Sequence, residues 1–450
     1  MTAGTELFFD AALPVFVEAI CTAFGVEVLE QGLILRDASG RLSFVSAAPS
    51  PGEADRSMIE KRLTDAIGPY ARAERIIAFA GEPGTTRVLK DQAAFPFRVG
   101  ARRIRLVDRR IVGSAWLDEP KAEAAGPARI VFASLKGGVG RSTALAVTAS
   151  DLARRNKNVL VVDLDLEAPG LGDLLLDEER TPLFGTLDYL VENGLGGVSD
   201  GILDDFIGLS ALTEAGGGRV DVLPVLGRKA IDNPANMLAK LARAMIEDID
   251  ADGHSVSVGD QIAAMIARFT GRNSYDVVLI DSRAGLAELA APAILGLGAT
   301  TLLFGTAQNQ TIQGYSALFA GLKLIAERDR AAGRPAEWRL LLKAVYAKAS
   351  LDAATAARHR DDLFDLFADN LYDADGGADI DPDAVSFDID DDSAPHWPLV
   401  IPFNQGLIDF DPVRAPNQLT VGFYEQTYRP FLDGIDTIIA TTVGSREEPT

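Results

Sequence analysis

The chain has 450 residues, 47% hydrophobic and 24% charged, a composition that argues against whole-chain disorder and supplies core material for two or three domains. Its one cysteine, Cys21, can form no internal disulfide, and its three scattered histidines have no cysteine partners, which argues against secretion and a structural zinc site. The formal charge of −22 falls almost wholly after residue 125, so the larger part of the chain repels phosphate backbones and anionic lipids.

The first residues lack the basic segment of a signal peptide, and a cytoplasmic protein is expected. Residues 1–120 read as a small α+β domain. Val15–Phe24 has the pattern of a helix, with Cys21 as a small buried hydrophobe inside it. Leu33–Arg36 and Leu42–Val45 flank Asp37-Ala38-Ser39-Gly40, which predicts a hairpin. Ser57–Ile67 reads as a capped amphipathic helix, with Ser57 as N-cap and Glu60 three residues on. Ile104–Val107 and Ile111–Trp116 read as two strands of a hairpin crowded by Arg98, Arg102, Arg103, Arg105, Arg109 and Arg110. Such a cluster can meet nucleic acid or an acidic protein segment, including residues 361–394 of the same chain, and intramolecular or protein docking ranks slightly first. Residues 121–127, in the Ala-, Glu- and Pro-rich run Glu119–Pro127, read as a linker.

Residues 128–450 change character. Apolar strands are predicted at Ile130–Leu135, Val159–Asp163, Val220–Leu223, Asp276–Asp281, Thr300–Gly305, Leu340–Tyr346 and Leu399–Ile401. Helical stretches lie between most of them, at Ser142–Arg154, Met237–Ile249, Gln261–Phe269 and Ile312–Arg328. The alternation predicts an α/β fold with a mostly parallel sheet sandwiched by helices. Leu289–Gln313 carries no charge, but Pro292, its glycines and Gln308-Asn309-Gln310 fit a buried helix end followed by a buried strand better than a membrane span. Residues 361–394 hold thirteen aspartates and no Glu, Lys or Arg, and read as an acidic insertion that is solvated or docks a basic partner. Within it Asp373-Ala374-Asp375 has no glutamate at the EF-hand spacing, which disfavours calcium.

The chemistry concentrates at Lys136-Gly137-Gly138-Val139-Gly140-Arg141-Ser142-Thr143, between a predicted buried strand and a predicted helix. Successive backbone N–H groups in such a loop, with the helix dipole behind them, bind phosphate. The glycines allow close approach, the cation at Arg141 can reach outer phosphates, and the Ser142 hydroxyl suits a magnesium ion. Two strand ends supply carboxylates. Asp163 and Asp165 close Val159–Asp163 and its turn. Asp281 closes the apolar strand that begins at Tyr275 and leads into Ser282-Arg283-Ala284-Gly285.

The octet resembles the deviant Walker A motif of the ParA/MinD family of dimeric ATPases, over roughly residues 128–430. The resemblance implies a P-loop NTPase fold, ATP and Mg2+ as ligands, and a nucleotide-dependent homodimer in which Lys136 reaches the partner's nucleotide. It implies that Asp165 orients the attacking water, that Asp163 and Asp281 serve the metal, and that the Gly285 N–H senses the γ-phosphate. Arg283 is either an arginine finger or half of a surface ion pair. Leu399–Asn404 resembles the family's last strand and its turn beside the base, which points to Pro402 and Phe403. The chain departs from the family in two places. Arg141 stands where lysine is usual, a planar fork that binding should tolerate better than hydrolysis. The asparagine that often contacts adenine is missing from Ala344–Lys348. The guanine signature is also absent, which favours ATP.

Three functions follow as expectations. The first is an ATP-hydrolysing dimer switch with a regulatory or adaptor role, the default setting being a multi-gene defence or stress system. Its protein partner would dock on the first domain or on residues 361–394. The second is a non-hydrolysing, nucleotide-bound scaffold. The third is a DNA-partitioning ATPase that uses the arginine cluster, which the net charge disfavours. A membrane partner is not expected, because no basic amphipathic tail follows Phe423–Val443. The lack of Cys-x-x-Cys argues against iron–sulfur carriage.

Overall fold

The computed structural model describes residues 7–213, 217–250, 252–373 and 384–444. The chain divides into two compact units, one of Met1–Ser114 with Leu322–Ala336, the other of Ala115–Gly321 with Glu337–Thr450.

The first unit is built on five strands: β1 (Leu33–Arg36), β2 (Leu42–Pro49), β3 (Ile77–Ala80), β4 (Phe95–Val99) and β5 (Arg102–Asp108), in the order β3-β2-β1-β5-β4. β1 and β2 form the expected antiparallel hairpin, closed where the Asp37 carboxylate accepts from the N–H groups of Ser39 and Arg41. Helices Phe9–Phe24 and Glu53–Ile67 contribute Phe16, Ile20, Leu63 and Ile67 to a core shared with Phe44, Phe79, Ile104 and Leu106. Three expectations need correcting. The second helix starts at Glu53 behind Gly52, so Ser57 is interior and caps nothing. Ile111–Trp116 is no strand: Ile111 and Val112 are 84% and 80% exposed, and a short 3-10 turn runs over Ser114–Leu117. The partner of β5 is β4, whose Pro96 is tolerated because β4 is an edge strand.

The second unit carries β6 (Ala128–Ser134), β7 (Asn158–Asp163), β8 (Gly208–Leu209), β9 (Arg219–Leu223), a small separate ladder of β10 (Asp248–Ile249) and β11 (Ser255–Val256), then β12 (Val277–Ala284), β13 (Thr300–Gly305), β14 (Leu342–Ala349) and β15 (Leu399–Pro402). The main sheet has eight strands in the order β15-β14-β13-β6-β12-β7-β9-β8 and is parallel except for the β8–β9 edge. Strands buried on both faces need helices on both sides, and the apolar runs Val159–Val162 and Val277–Ile280 are fully enclosed. Helix Arg141–Arg154 is buried along most of its length, and the last helix, Val421–Gly444, adds Tyr424, Tyr428 and Phe431 to the same core. This is a P-loop NTPase arrangement. No described helix is long and apolar enough to cross a membrane, and Leu289–Gln313 holds a short buried helix, Ala290–Leu295, followed by β13.

Two further expectations change. The helix expected over Met237–Ile249 stops at Ala244, and β10 follows. Residues 361–370 belong to a helix, Ala353–Asn370, which buries Leu363, Leu366 and Phe367. Residues 374–383 of the acidic run lie outside the described residues. Residues 119–126 are anchored in the second unit, where Lys121 N–H donates to the Leu295 carbonyl and Ala124 N–H to that of Gly298.

Candidate nucleotide site

The strand order places the glycine loop. β6 lies between β13 and β12, so its loop and the following helix open at the C-terminal edge of the sheet, where successive connections diverge to either side. The N–H groups of Gly137 through Gly140 have no hydrogen-bond partner among the described residues. Gly138 and Gly140 adopt φ of +72° and +94°, and a Cβ on Gly137, Gly138 or Gly140 would meet nothing within 4 Å. The loop is therefore an open row of donors at a helix N-terminus, as phosphate binding requires.

The carboxylates arrive by register. β7 and β12 are paired neighbours with Asp163 opposite Asp281, both almost fully buried. Burial and mutual repulsion hold Asp163 well above the usual carboxylate range, against hydrogen bonds from the N–H groups of Asp165 and Leu171. Burial also raises Asp281, opposed by Arg141 and the Ser142 hydroxyl. Ser142 Oγ donates to Asp281 Oδ2 at 2.6 Å. Arg141, only 9% exposed, donates from Nε to Asp281 Oδ1 at 2.5 Å and from its two terminal nitrogens to Ser134 Oγ at 3.2 Å and Asp165 Oδ2 at 3.0 Å. Asp165 Oδ1 is buried and has no hydrogen-bond partner among the described residues.

The remaining predicted residues fall around this cluster. Lys136 is exposed and its ammonium is loosely held by Gln308 Oε1 at 3.4 Å. Gly285, at φ +92°, already donates its N–H to the Ser134 carbonyl at 2.9 Å, so a γ-phosphate contact there requires that bond to be exchanged. Arg283 forms an ion pair with Glu167, the plainer of its two expected roles. Val139 and Thr143 line a cleft of about 260 Å3 beside the loop, together with Pro402 and Phe403. Sequence reasoning missed the charged member of that cleft, Lys348, whose ammonium reaches the Gly138 carbonyl at 2.7 Å. Its only signal was negative, the absent asparagine in Ala344–Lys348.

The arginine cluster is largely engaged within the first unit. Arg102 pairs with Glu18, Arg110 with Asp108 and Arg109 with Asp91, while Arg105 donates to the Leu89 carbonyl. Arg98 faces Arg103 across the β4–β5 ladder, and both are exposed.

Residues 130–327 match the model of the CobQ/CobB/MinD/ParA nucleotide binding domain. This segment is a nucleotide-binding domain of that family. It contains Lys136–Thr143, Asp163, Asp165, Asp281 and Gly285, whereas Lys348, Pro402 and Phe403 lie beyond it. Among solved structures, a ParA family ATPase from Chlorobium tepidum TLS is 16% identical, covering 68% of this chain and 98% of its own, with a TM-score of 0.42. The MinD cell division protein of Aquifex aeolicus is 18% identical, covering 72% and 98%, with a TM-score of 0.39. Cobyrinic acid a,c-diamide synthase from Mycobacterium smegmatis, solved with bound ADP and magnesium, is 21% identical, covering 54% and 82%, with a TM-score of 0.34. No curated protein sequence matches the chain.

Proposed function

We propose that this chain is an ATP-hydrolysing, nucleotide-dependent dimer switch whose first unit serves as the adaptor. The observation that carries the reading is the convergence of an open glycine loop, the Ser142 hydroxyl and Asp163, Asp165 and Asp281 at the ends of three adjacent parallel strands. The loop N–H groups bind the phosphates, and Arg141 adds charge beside them. Ser142, Asp281 and Asp163 form a hard-oxygen set that fits Mg2+ and would hold it; the ion would screen the phosphate charge. The unpartnered Asp165 Oδ1 is the acceptor that orients a water molecule towards the γ-phosphorus. Attack by that water breaks the bond to the leaving ADP oxygen. Lys136, exposed and weakly held, is free to reach a second subunit's nucleotide.

Phosphate release with ATP and Mg2+, and its loss in Asp165→Ala, test the chemistry. Sedimentation with and without ATP and Mg2+ tests the dimer, and a constant mass sinks it. One observation favours a second reading, a scaffold that keeps its nucleotide. Arg141 holds the other oxygen of Asp165, restraining the group that must handle water. Tight binding with no turnover in the wild type supports that reading.

A further inference from the structure

β14 breaks register against β15 between Ala347 and Ala349, and Lys348 occupies the break at φ +51°. Among the described residues only Asn156 and Lys348 adopt positive φ without being glycine. Asparagine tolerates that region, but lysine does so at a steric cost, and residues held there cluster at ligand sites. The cost is incurred where the side chain reaches the phosphate loop. Lys348 Nζ donates to the Gly138 carbonyl at 2.7 Å on the wall of the 260 Å3 cleft, and among the described residues it is the only charged side chain in that lining. The same lining includes the apolar Ile401, Pro402 and Phe403, the last 55% exposed. The neighbouring Asn404 amide is already committed, donating to Thr427 Oγ1 and accepting from the Gly406 N–H. A cleft that combines apolar side chains with one cation, next to a phosphate loop, is suited to a purine.

We propose that Lys348 reads the base of the bound nucleotide through the acceptor edge of a purine, N7 and, where present, O6. This rests on the reading that the loop binds a nucleoside triphosphate. An ammonium has three donors and no acceptor, so with one donor on Gly138 it can still serve acceptors in the cleft. It cannot accept from the exocyclic amine that marks adenine. The cleft therefore takes both purines, guanine at least as well as adenine because O6 adds an acceptor, and a base without N7 binds weakly.

The test is competition for the full chain, with Mg2+, between a fluorescent ATP analogue and unlabelled ATP, GTP or 7-deaza-ATP. The wild type should bind GTP at least as tightly as ATP, and 7-deaza-ATP roughly tenfold more weakly than ATP. Lys348→Met and Lys348→Gly should each lose roughly tenfold in ATP affinity and abolish the 7-deaza penalty. Lys348→Gly also relieves the backbone, so the ligand-free melting temperature should hold or rise while affinity falls, which separates lost recognition from misfolding. Tight ATP binding without a 7-deaza penalty, or wild-type affinity in both variants, overturns the role of Lys348 alone. A wild type that binds no nucleotide overturns the underlying reading and this one with it.

Discussion

The guanidinium of Arg141 touches Ser134 Oγ, Asp165 Oδ2 and Asp281 Oδ1 at once, a span that a compact ammonium does not cover. Around it stand three carboxylates, Asp163, Asp165 and Asp281, each at most 8% exposed. Replacing Arg141 by methionine removes the cation and leaves the carboxylates to repel one another in a poorly solvated site. Breaking a buried pair in this way costs about 3–5 kcal/mol, measurable by urea denaturation of the ligand-free chain. The pH dependence has a definite sign. Losing the cation raises the folded-state pKa of Asp281 further above its unfolded value. The penalty is therefore absent below the ordinary carboxylate range and grows as pH rises through the raised folded value. The variant should approach wild-type stability in acid, and millimolar Mg2+ should restore part of the loss at neutral pH. A penalty that does not change with pH would mean that Arg141 acts through packing alone.

Helix Arg141–Arg154 presents its N-terminus to the site and is secured at the other end by the last helix, where the buried Tyr424 hydroxyl donates to Asp151 Oδ1 at 2.8 Å. Tyr424→Phe keeps the ring in the core and removes only this bond to a charged group. It should cost about 1.5–3 kcal/mol by chemical denaturation and leave nucleotide affinity unchanged, because the bond lies at the far end of the helix. Elements of this kind differ in how well the sequence announces them. The central strands are legible because strands buried on both faces must be continuously apolar, as Val159–Val162 and Val277–Ile280 are. The loop and its three aspartates are legible because their chemistry is local to strand ends. β4 was hidden because Pro96 disguises an edge strand, and Ile111–Trp116 misled because an apolar pair stands exposed in a loop. Helix Ala353–Asn370 was lost in an aspartate-rich run, although Leu363, Leu366 and Phe367 carry its buried face at helical spacing. Lys348 could not be read at all. Its importance comes from a left-handed backbone and a contact to Gly138 across 210 positions of chain, neither of which leaves a local pattern.

At the scale of the whole chain, each compact unit has its own apolar core, one around Phe16, Phe44 and Phe79, the other around Phe132, Phe304 and Phe431. The phosphate loop, the three carboxylates and the cleft all fall in the second unit. A ligand stabilises the unit that binds it by an amount set by its concentration relative to its dissociation constant, about 2.7 kcal/mol at a hundredfold excess. Calorimetry of the full chain should therefore show two unfolding transitions, with ATP and Mg2+ moving only the one that belongs to the second unit. The transition can be assigned without cutting the chain. Phe44→Ala empties part of the first core and should lower only the first transition, at a cost of about 3–5 kcal/mol. In that variant the nucleotide-dependent shift of the second transition should keep its wild-type size. If nucleotide moves both transitions in the wild type, or if Phe44→Ala abolishes the shift, the first unit takes part in binding and its role as a separate adaptor fails.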